Sequence, residues 1–293
     1  MALIAAFGGG VLGAAVGAVP VFIFTGLLAI LGVAAASGGG PEILQVAFGP
    51  VLGPHVSFGG GVAAAAYAGS RGVLKTGRDI ASALMGTGRM DVLIVGGLFG
   101  SAGYLLHWAL TVSGLAAWTD SIALAVVLSN IAARLLFGRT GPFGSVHAPH
   151  GRRFRPDDSA SWLPWQQEWS HVVVIGFGVG LVASYLAARS GLGEGKESLG
   201  FGISTVILTF LVMGNKVPVT HHISLPAALG VVNGGGVIAG ALCGIIGALL
   251  GELASRVFLI HGDTHIDPPA VAIAAVATLL AITRFAGLAV PGI

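Results

Sequence analysis

Charge is scarce in this sequence. Only 9% of its 293 residues are Asp, Glu, Lys or Arg, whereas a water-soluble domain carries about 25%. So few charges cannot cover a water-exposed surface, which excludes a soluble globular domain. Cysteine is scarcer still. Cys243 stands alone in a Gly/Ala/Ile/Leu stretch, so there is no disulfide framework and no Cys-x-x-Cys pair. Basic runs long enough to follow a phosphate backbone are missing, and with a net charge of only +2 nucleic acid is not an expected partner. Phosphate-cradling loops and nucleophile elbows are missing as well: Gly38-Gly39-Gly40 and Gly234-Gly235-Gly236 follow no strand and read as turns. No basic cluster precedes the first apolar stretch at Met1-Ala2-Leu3-Ile4. Residues from 3 onward are therefore expected to be a membrane helix rather than a cleaved leader.

What the sequence does have is apolar length. Hydrophobic residues make up 55% of the chain, mean hydropathy is +0.91, and 49 glycines suit close helix packing in lipid. Crossing the bilayer takes about 20 apolar residues per helix, which limits this chain to roughly 8–10 spans. Apolar segments fall at 3–19, 20–36, 43–68, 92–113 and 118–138, then at 170–188, 200–214, 216–233, 235–260 and 267–290. The runs are long and unbroken rather than alternating, which favours helices over a β-barrel. The expectation is an all-α polytopic membrane protein. Its units would be a first membrane repeat at 1–138, a hydrophilic connecting loop at 139–169 and a second membrane repeat at 170–293.

Basic residues cluster at 70–91 (Arg71, Lys75, Arg78, Arg89) and at 139–169 (Arg139, Arg152, Arg153, Arg155). Two spans separate these loops, so both belong on one side. The positive-inside bias makes that side cytoplasmic in a plasma (inner) membrane.

The halves resemble each other. Pro54-His55-Val56-Ser57 matches His221-His222-Ile223-Ser224 at an offset of 167, Gly100-x-x-Gly103 matches Gly244-x-x-Gly247 at 144, and Asp120 matches Asp267 at 147. The first shift, 23 residues, is about the size of the basic loop at 70–91, which the second half lacks. With five spans in each half the repeat is inverted in topology, a plan that places a solute site between the repeats at the midplane. With four spans it is parallel.

The duplicated motif sets proline beside histidine and serine. Proline interrupts the helical ladder, and broken backbone survives at membrane depth only where protein or a watery cavity satisfies it. His55, Ser57, Thr220, His221, His222 and Ser224 are thus candidate solute contacts at discontinuous helices. The plainer alternative is histidines at helix ends and serines bonding their own backbone. His265 and Asp267, in His261-Gly262-Asp263-Thr264-His265-Ile266-Asp267-Pro268-Pro269, complete the candidate set as a proton- or metal-handling pair, although Asp267 before two prolines also suits a helix cap. The spacing matches no zinc motif, which leaves metal binding open. Asp120 reads as a second cap, Lys216 and Arg134 as side chains reaching water, and His107 as packing.

Within 234–282, the elements Gly235-Gly236-Val237-Ile238-Ala239-Gly240, the stretch Ala241–Leu250 and Thr264-His265-Ile266-Asp267-Pro268-Pro269-Ala270-Val271-Ala272 resemble HPP-type integral membrane proteins. Ile266-Asp267 stands between the histidine and the two prolines. The resemblance implies a helical membrane protein of transporter type, with plant members linked to nitrite transport.

The functional expectation is a transporter or channel for a small polar solute or an anion, since few carboxylates lie within spans and hydroxyls, imidazoles and helix N-termini are donors. The alternative is an intramembrane enzyme, or a metal-binding or metal-transporting protein, using the His/Asp cluster. No cofactor is expected. The expected partners are the lipid bilayer and the solute, and the small-residue faces allow a homo-oligomer.

Overall fold

The computed structural model describes residues 1–36, 42–146, 151–189 and 195–288. It is all-α, with 70% of the described residues helical. The first half contains α1 (Ala2–Val16), α2 (Ala18–Ala36), α3 (Glu42–Phe48), α4 (Ser57–Ser70), α5 (Met90–Val112) and α6 (Ser121–Phe137). A two-stranded ribbon, β1 (Gly151–Arg152) and β2 (Arg155–Pro156), lies in the connecting stretch. The second half contains α7 (Trp169–Ala188), α8 (Glu197–Val206), α9 (Leu208–Val212), α10 (His221–Val232), α11 (Val237–Ala254) and α12 (Pro268–Phe285).

Backbone chemistry sets the breaks. Gly17 takes φ 97, a left-handed conformation that costs glycine little, and this separates α1 from α2. Pro20 therefore falls in the first turn of α2, where no intrahelical N–H is needed. Pro50 and Pro54 keep residues 49–56 out of helix, in the middle of the bundle. There Leu52 O accepts from Thr25 Oγ1 at 2.7 Å, and Val51 O packs on Gly9 of α1, where an added Cβ would come within 2.2 Å. The matching break in the second half is clipped by Gln166, whose amide accepts from Val219 N at 3.0 Å and donates to Val219 O at 3.2 Å. Both breaks thus draw hydrogen bonds from neighbouring side chains.

Packing repeats between the halves. Gly100 of α5 presses on Ala6 O and Gly10 Cα of α1, and Gly244 of α11 presses on Gly176 O and Gly180 Cα of α7. Gly96 faces Ala14 as Gly240 faces Ser184. Each of α1, α2, α4, α5 and α6 has an equivalent in α7, α8–α9, α10, α11 and α12, and the same neighbours touch in each half. Among the described helices α3 has no counterpart.

Between the halves, α2 crosses α8 and α6 passes α12, so each contact joins a helix to its own equivalent. At the first crossing, a Cβ on Gly26 would lie 3.0 Å from Gly202 O, and one on Gly202 would lie 2.8 Å from Gly26 O. Reciprocal contacts of this kind define a pseudo-twofold axis.

In the two pairs that touch, α6 with α12 and α2 with α8, the equivalent helices are antiparallel. At one face of the bundle α6 ends, α12 begins, α11 ends and α5 begins. Gly77 bridges Thr264 there, Arg78 Nη1 donates to Ile260 O at 3.1 Å, and Ser145 N donates to His261 O at 2.8 Å. Burial in this contact lowers the Arg78 pKa from its ordinary value. At the other face Trp118, before α6, stacks on Phe285, the last residue of α12, with ring centroids 4.1 Å apart.

Among the described residues five helices are long and apolar enough to cross a membrane: α2, α5, α7, α12 and the stretch Val237–Leu259 that includes α11. Four more apolar helices, α1, α6, α10 and the stretch Glu197–Val212, have 10–17 residues. The proline break divides the apolar stretch 43–68 into α3 and α4, and the stretch 216–233, short for a full span and interrupted by Pro218 and Pro226, yields only α10. Large apolar side chains point outward along the long helices, with Ile94 and Leu98 of α5 and Val174 and Val182 of α7 exposed.

Candidate functional site: a cavity on the pseudo-twofold axis

A cavity of about 320 Å³ lies between the halves. Its wall is made of equivalents: Pro54 with His221 and Phe58 with Leu225, both 167 residues apart, then Asp120 with Asp267, Ala123 with Ala270 and Val126 with Ile273, all 147 apart. Only a space on the axis can be lined this way.

One wall is aromatic. Phe58 and Phe22 have ring centroids 5.4 Å apart, Phe22 and Phe201 5.7 Å, and Phe201 and Phe48 5.8 Å. His221 joins this wall edge-on, 5.0 Å from Phe22 and 5.9 Å from Phe201. Its Nδ1 is buried and has no hydrogen-bond partner.

The opposite wall is the start of α6 and of α12. Asp120 Oδ1 accepts from Ala123 N at 2.8 Å, and Asp267 Oδ2 accepts from Ala270 N at 2.8 Å, the same cap in both repeats. Asp267 Oδ1 also lies 3.1 Å from His265 Nε2, and Asp267 N donates to Asn130 Oδ1 at 3.2 Å. Asn130 is ten residues beyond Asp120 along α6, about 15 Å deeper. Asp120 and Glu197 therefore mark the mouth, and His221 and Asp267 the floor. Asp120 and Glu197 are only partly buried, whereas His221 and Asp267 are buried. A smaller space of about 180 Å³, reaching Arg284, shares Asp120 with the cavity.

The expected site residues divide. His221 and Asp267 line the cavity, and His265 stands behind Asp267. His55, Ser57, Thr220, His222 and Ser224 are buried but do not line it. The two His-Ser segments thus meet at the cavity through Pro54 and His221 rather than through His55, His222 or the serines. The residue before each histidine, Pro54 or His221, reaches the axis, and the next position, about 100° round the helix start, turns back into its own half.

The His55 ring packs against His107, centroids 4.6 Å apart, with both nitrogens unpartnered, and His55 O sits over Gly103. The His222 ring packs on Gly251, the equivalent of His107, and its carbonyl lies over Gly247. Ser57 Oγ donates to Leu52 O at 3.2 Å and Ser224 Oγ to His221 O at 3.4 Å, so both serines bond local backbone. Thr220 O accepts from Ile223 N and Ser224 N, both at 2.9 Å.

The loop at 261–267 is split between faces. Asp263 accepts from Arg139 N at 2.6 Å and from Thr140 Oγ1 at 2.8 Å, away from His265 and Asp267. Among the described residues no three metal-ligating side chains converge. Lys216 is exposed, but Arg134 does not snorkel: it is wholly buried, with Nε donating to Thr264 Oγ1 at 2.9 Å and Nη1 to Pro142 O at 3.0 Å. Its guanidinium also reaches Phe258 O and Thr264 O. His147 and His150 lie in or beside the connecting stretch outside the described residues.

The sequence reading missed the aromatic wall and Glu197, and took Asp120 for a cap alone. Pairing with Asp267 at the repeat offset was the available signal for Asp120. Phe58 carried the same signal through Leu225, whereas Phe22, Phe48 and Phe201, from three other elements, had none.

Fold and cavity together define a class: a duplicated helical bundle with one axial cavity between its halves. The chain belongs to the Family of unknown function (DUF7973), whose model matches it twice, over residues 1–146 and 144–291. The double match supports two related halves and gives nothing toward the HPP-type likeness. No curated protein and no solved structure matches the chain.

Proposed function

We propose that the protein is a membrane transporter or channel for a small solute, with its path through the axial cavity. In this reading the halves are an inverted-topology repeat of about 8–10 spans with discontinuous helices. The basic face, carrying the 70–91 and 139–169 loops, lies in the cytoplasm. The supporting observation is the lining of one cavity by equivalent residues from the two halves. A site so placed can be exposed to either side when the halves exchange conformations, because each half offers the same wall in reverse. The anion favoured on sequence grounds has little to bind: among the described residues no lysine or arginine lines the main cavity. The proposal therefore leaves the charge of the solute aside.

The test is solute flux in liposomes containing purified protein, using glycerol, acetate and choline as probes. Flux of at least one above protein-free vesicles is expected. Ala123→Trp or Ala270→Trp, which fill the cavity, should return it to baseline while the variants elute as folded protein. Flux unchanged by both fillings, or none with any probe, would sink the reading.

A further inference from the structure

We infer that the axial cavity binds a compact organic cation, an aliphatic ammonium with an apolar body. This deepens the transport reading and rests on it for its location. Three observations converge on that chemistry. The wall formed by Phe22, Phe48, Phe58 and Phe201 is a connected aromatic surface, whose ring faces carry negative potential that attracts cations. Facing it are the carboxylates of Asp120 and Asp267, with Glu197 at the mouth and, among the described residues, no lysine or arginine in the lining. On the floor His221 is 5% exposed, and its Nδ1 has no hydrogen-bond partner.

The other ligand classes fit less well. An anion would meet three carboxylates and no fixed positive side chain. A sugar-like polyol would leave most hydroxyls unpaired against phenylalanine and aliphatic walls, a cost for each buried group. A purely apolar solute would leave His221 Nδ1 and the free carboxylate lone pairs without partners. An ammonium with methyl or methylene substituents gives the rings and aliphatic wall their contacts and the carboxylates their counter-charge. An N–H on the ligand, where there is one, reaches His221 as a neutral acceptor. The caps leave acceptor capacity on both aspartates, since a carboxylate offers about four lone-pair sites, each cap occupies one and His265 occupies one more on Asp267. A volume of about 320 Å³ suits a small molecule of this type.

Calorimetry on the purified full chain tests this with three probes: choline, its neutral isostere 3,3-dimethylbutan-1-ol, and acetate. Choline should bind about tenfold or more tightly than the isostere, and acetate should not bind. Asp267→Asn keeps a capping side chain, and Phe201→Leu keeps an apolar one. Each should weaken choline at least tenfold without lowering the unfolding midpoint much. Equal binding of choline and the isostere, or choline binding indifferent to both substitutions, overturns the cation assignment. The two readings fail separately. Choline binding without flux removes transport and leaves the cation site, whereas flux of glycerol or acetate without choline binding removes the cation site and leaves transport.

Discussion

At the scale of single residues, burial and partnership decide what a polar side chain does here, and composition alone does not. Arg134 and His55 are both 0% exposed and sit in the same half, yet they are opposites. Arg134 ties the end of α6 to the loop before α12 through a planar fork of donors that meets three carbonyls and the Thr264 hydroxyl. Arg134→Leu should cost about 3–5 kcal/mol, because it strands those buried acceptors. Arg134→Lys should recover only part of that, having no fork. The apparent unfolding midpoint in detergent measures both, and an unchanged midpoint for the leucine variant would show that the loop does not depend on this anchor. His55 offers its surroundings no ring hydrogen bond, so His55→Leu should leave the midpoint unchanged or raise it. A drop of the size expected for Arg134→Leu would mean that an imidazole partner exists in the folded protein.

At the scale of elements, most of the helices were legible and their facing was not. Long apolar runs outlined α1, α2, α5, α6, α7, α11 and α12, because a span must be apolar along its length whichever side faces lipid. The same property hid the inward face, since lipid-facing and protein-facing sides are both apolar. Which residue of Pro54-His55 or His221-His222 reaches the axis depends on a rotation that hydropathy does not encode. Glycine is the clearer marker, and its meaning varies by position. A Cβ on Gly103 would come within 1.7 Å of His55 O, and one on Gly247 within 2.3 Å of His222 O, whereas one on Gly178 of α7 would meet nothing within 4 Å. Gly103→Ala and Gly247→Ala should each cost about 1–3 kcal/mol by forcing a helix away from the broken segment. Gly178→Ala should be neutral or mildly stabilising. Equal midpoints for all three would mean that the breaks can shift without cost.

At the scale of the whole molecule, duplication makes two similar walls and an insertion tells them apart. The link between α4 and α5 carries Arg71, Lys75, Arg78 and Arg89, whereas the equivalent link between α10 and α11 is Asn233-Gly234-Gly235-Gly236. In an inverted repeat these links lie on opposite sides. In the proposed topology, concentrating the cations in one of them is a consistent orientation signal for membrane insertion. The three short matches seen in the sequence held this information, but they could not separate an inverted repeat from a parallel one, because helix direction is not a property of aligned residues. Labelling can. With the lone cysteine removed (Cys243→Ser), Lys75→Cys and Asn233→Cys place single thiols in the two links. A membrane-impermeant maleimide applied to intact cells should modify Asn233→Cys, and should modify Lys75→Cys only after lysis. Both thiols reacting from the same side would make the repeat parallel. The helices of the two halves could not then run oppositely across one bilayer, and neither exposure of the site to both sides by exchange nor the cytoplasmic assignment of the basic face would survive.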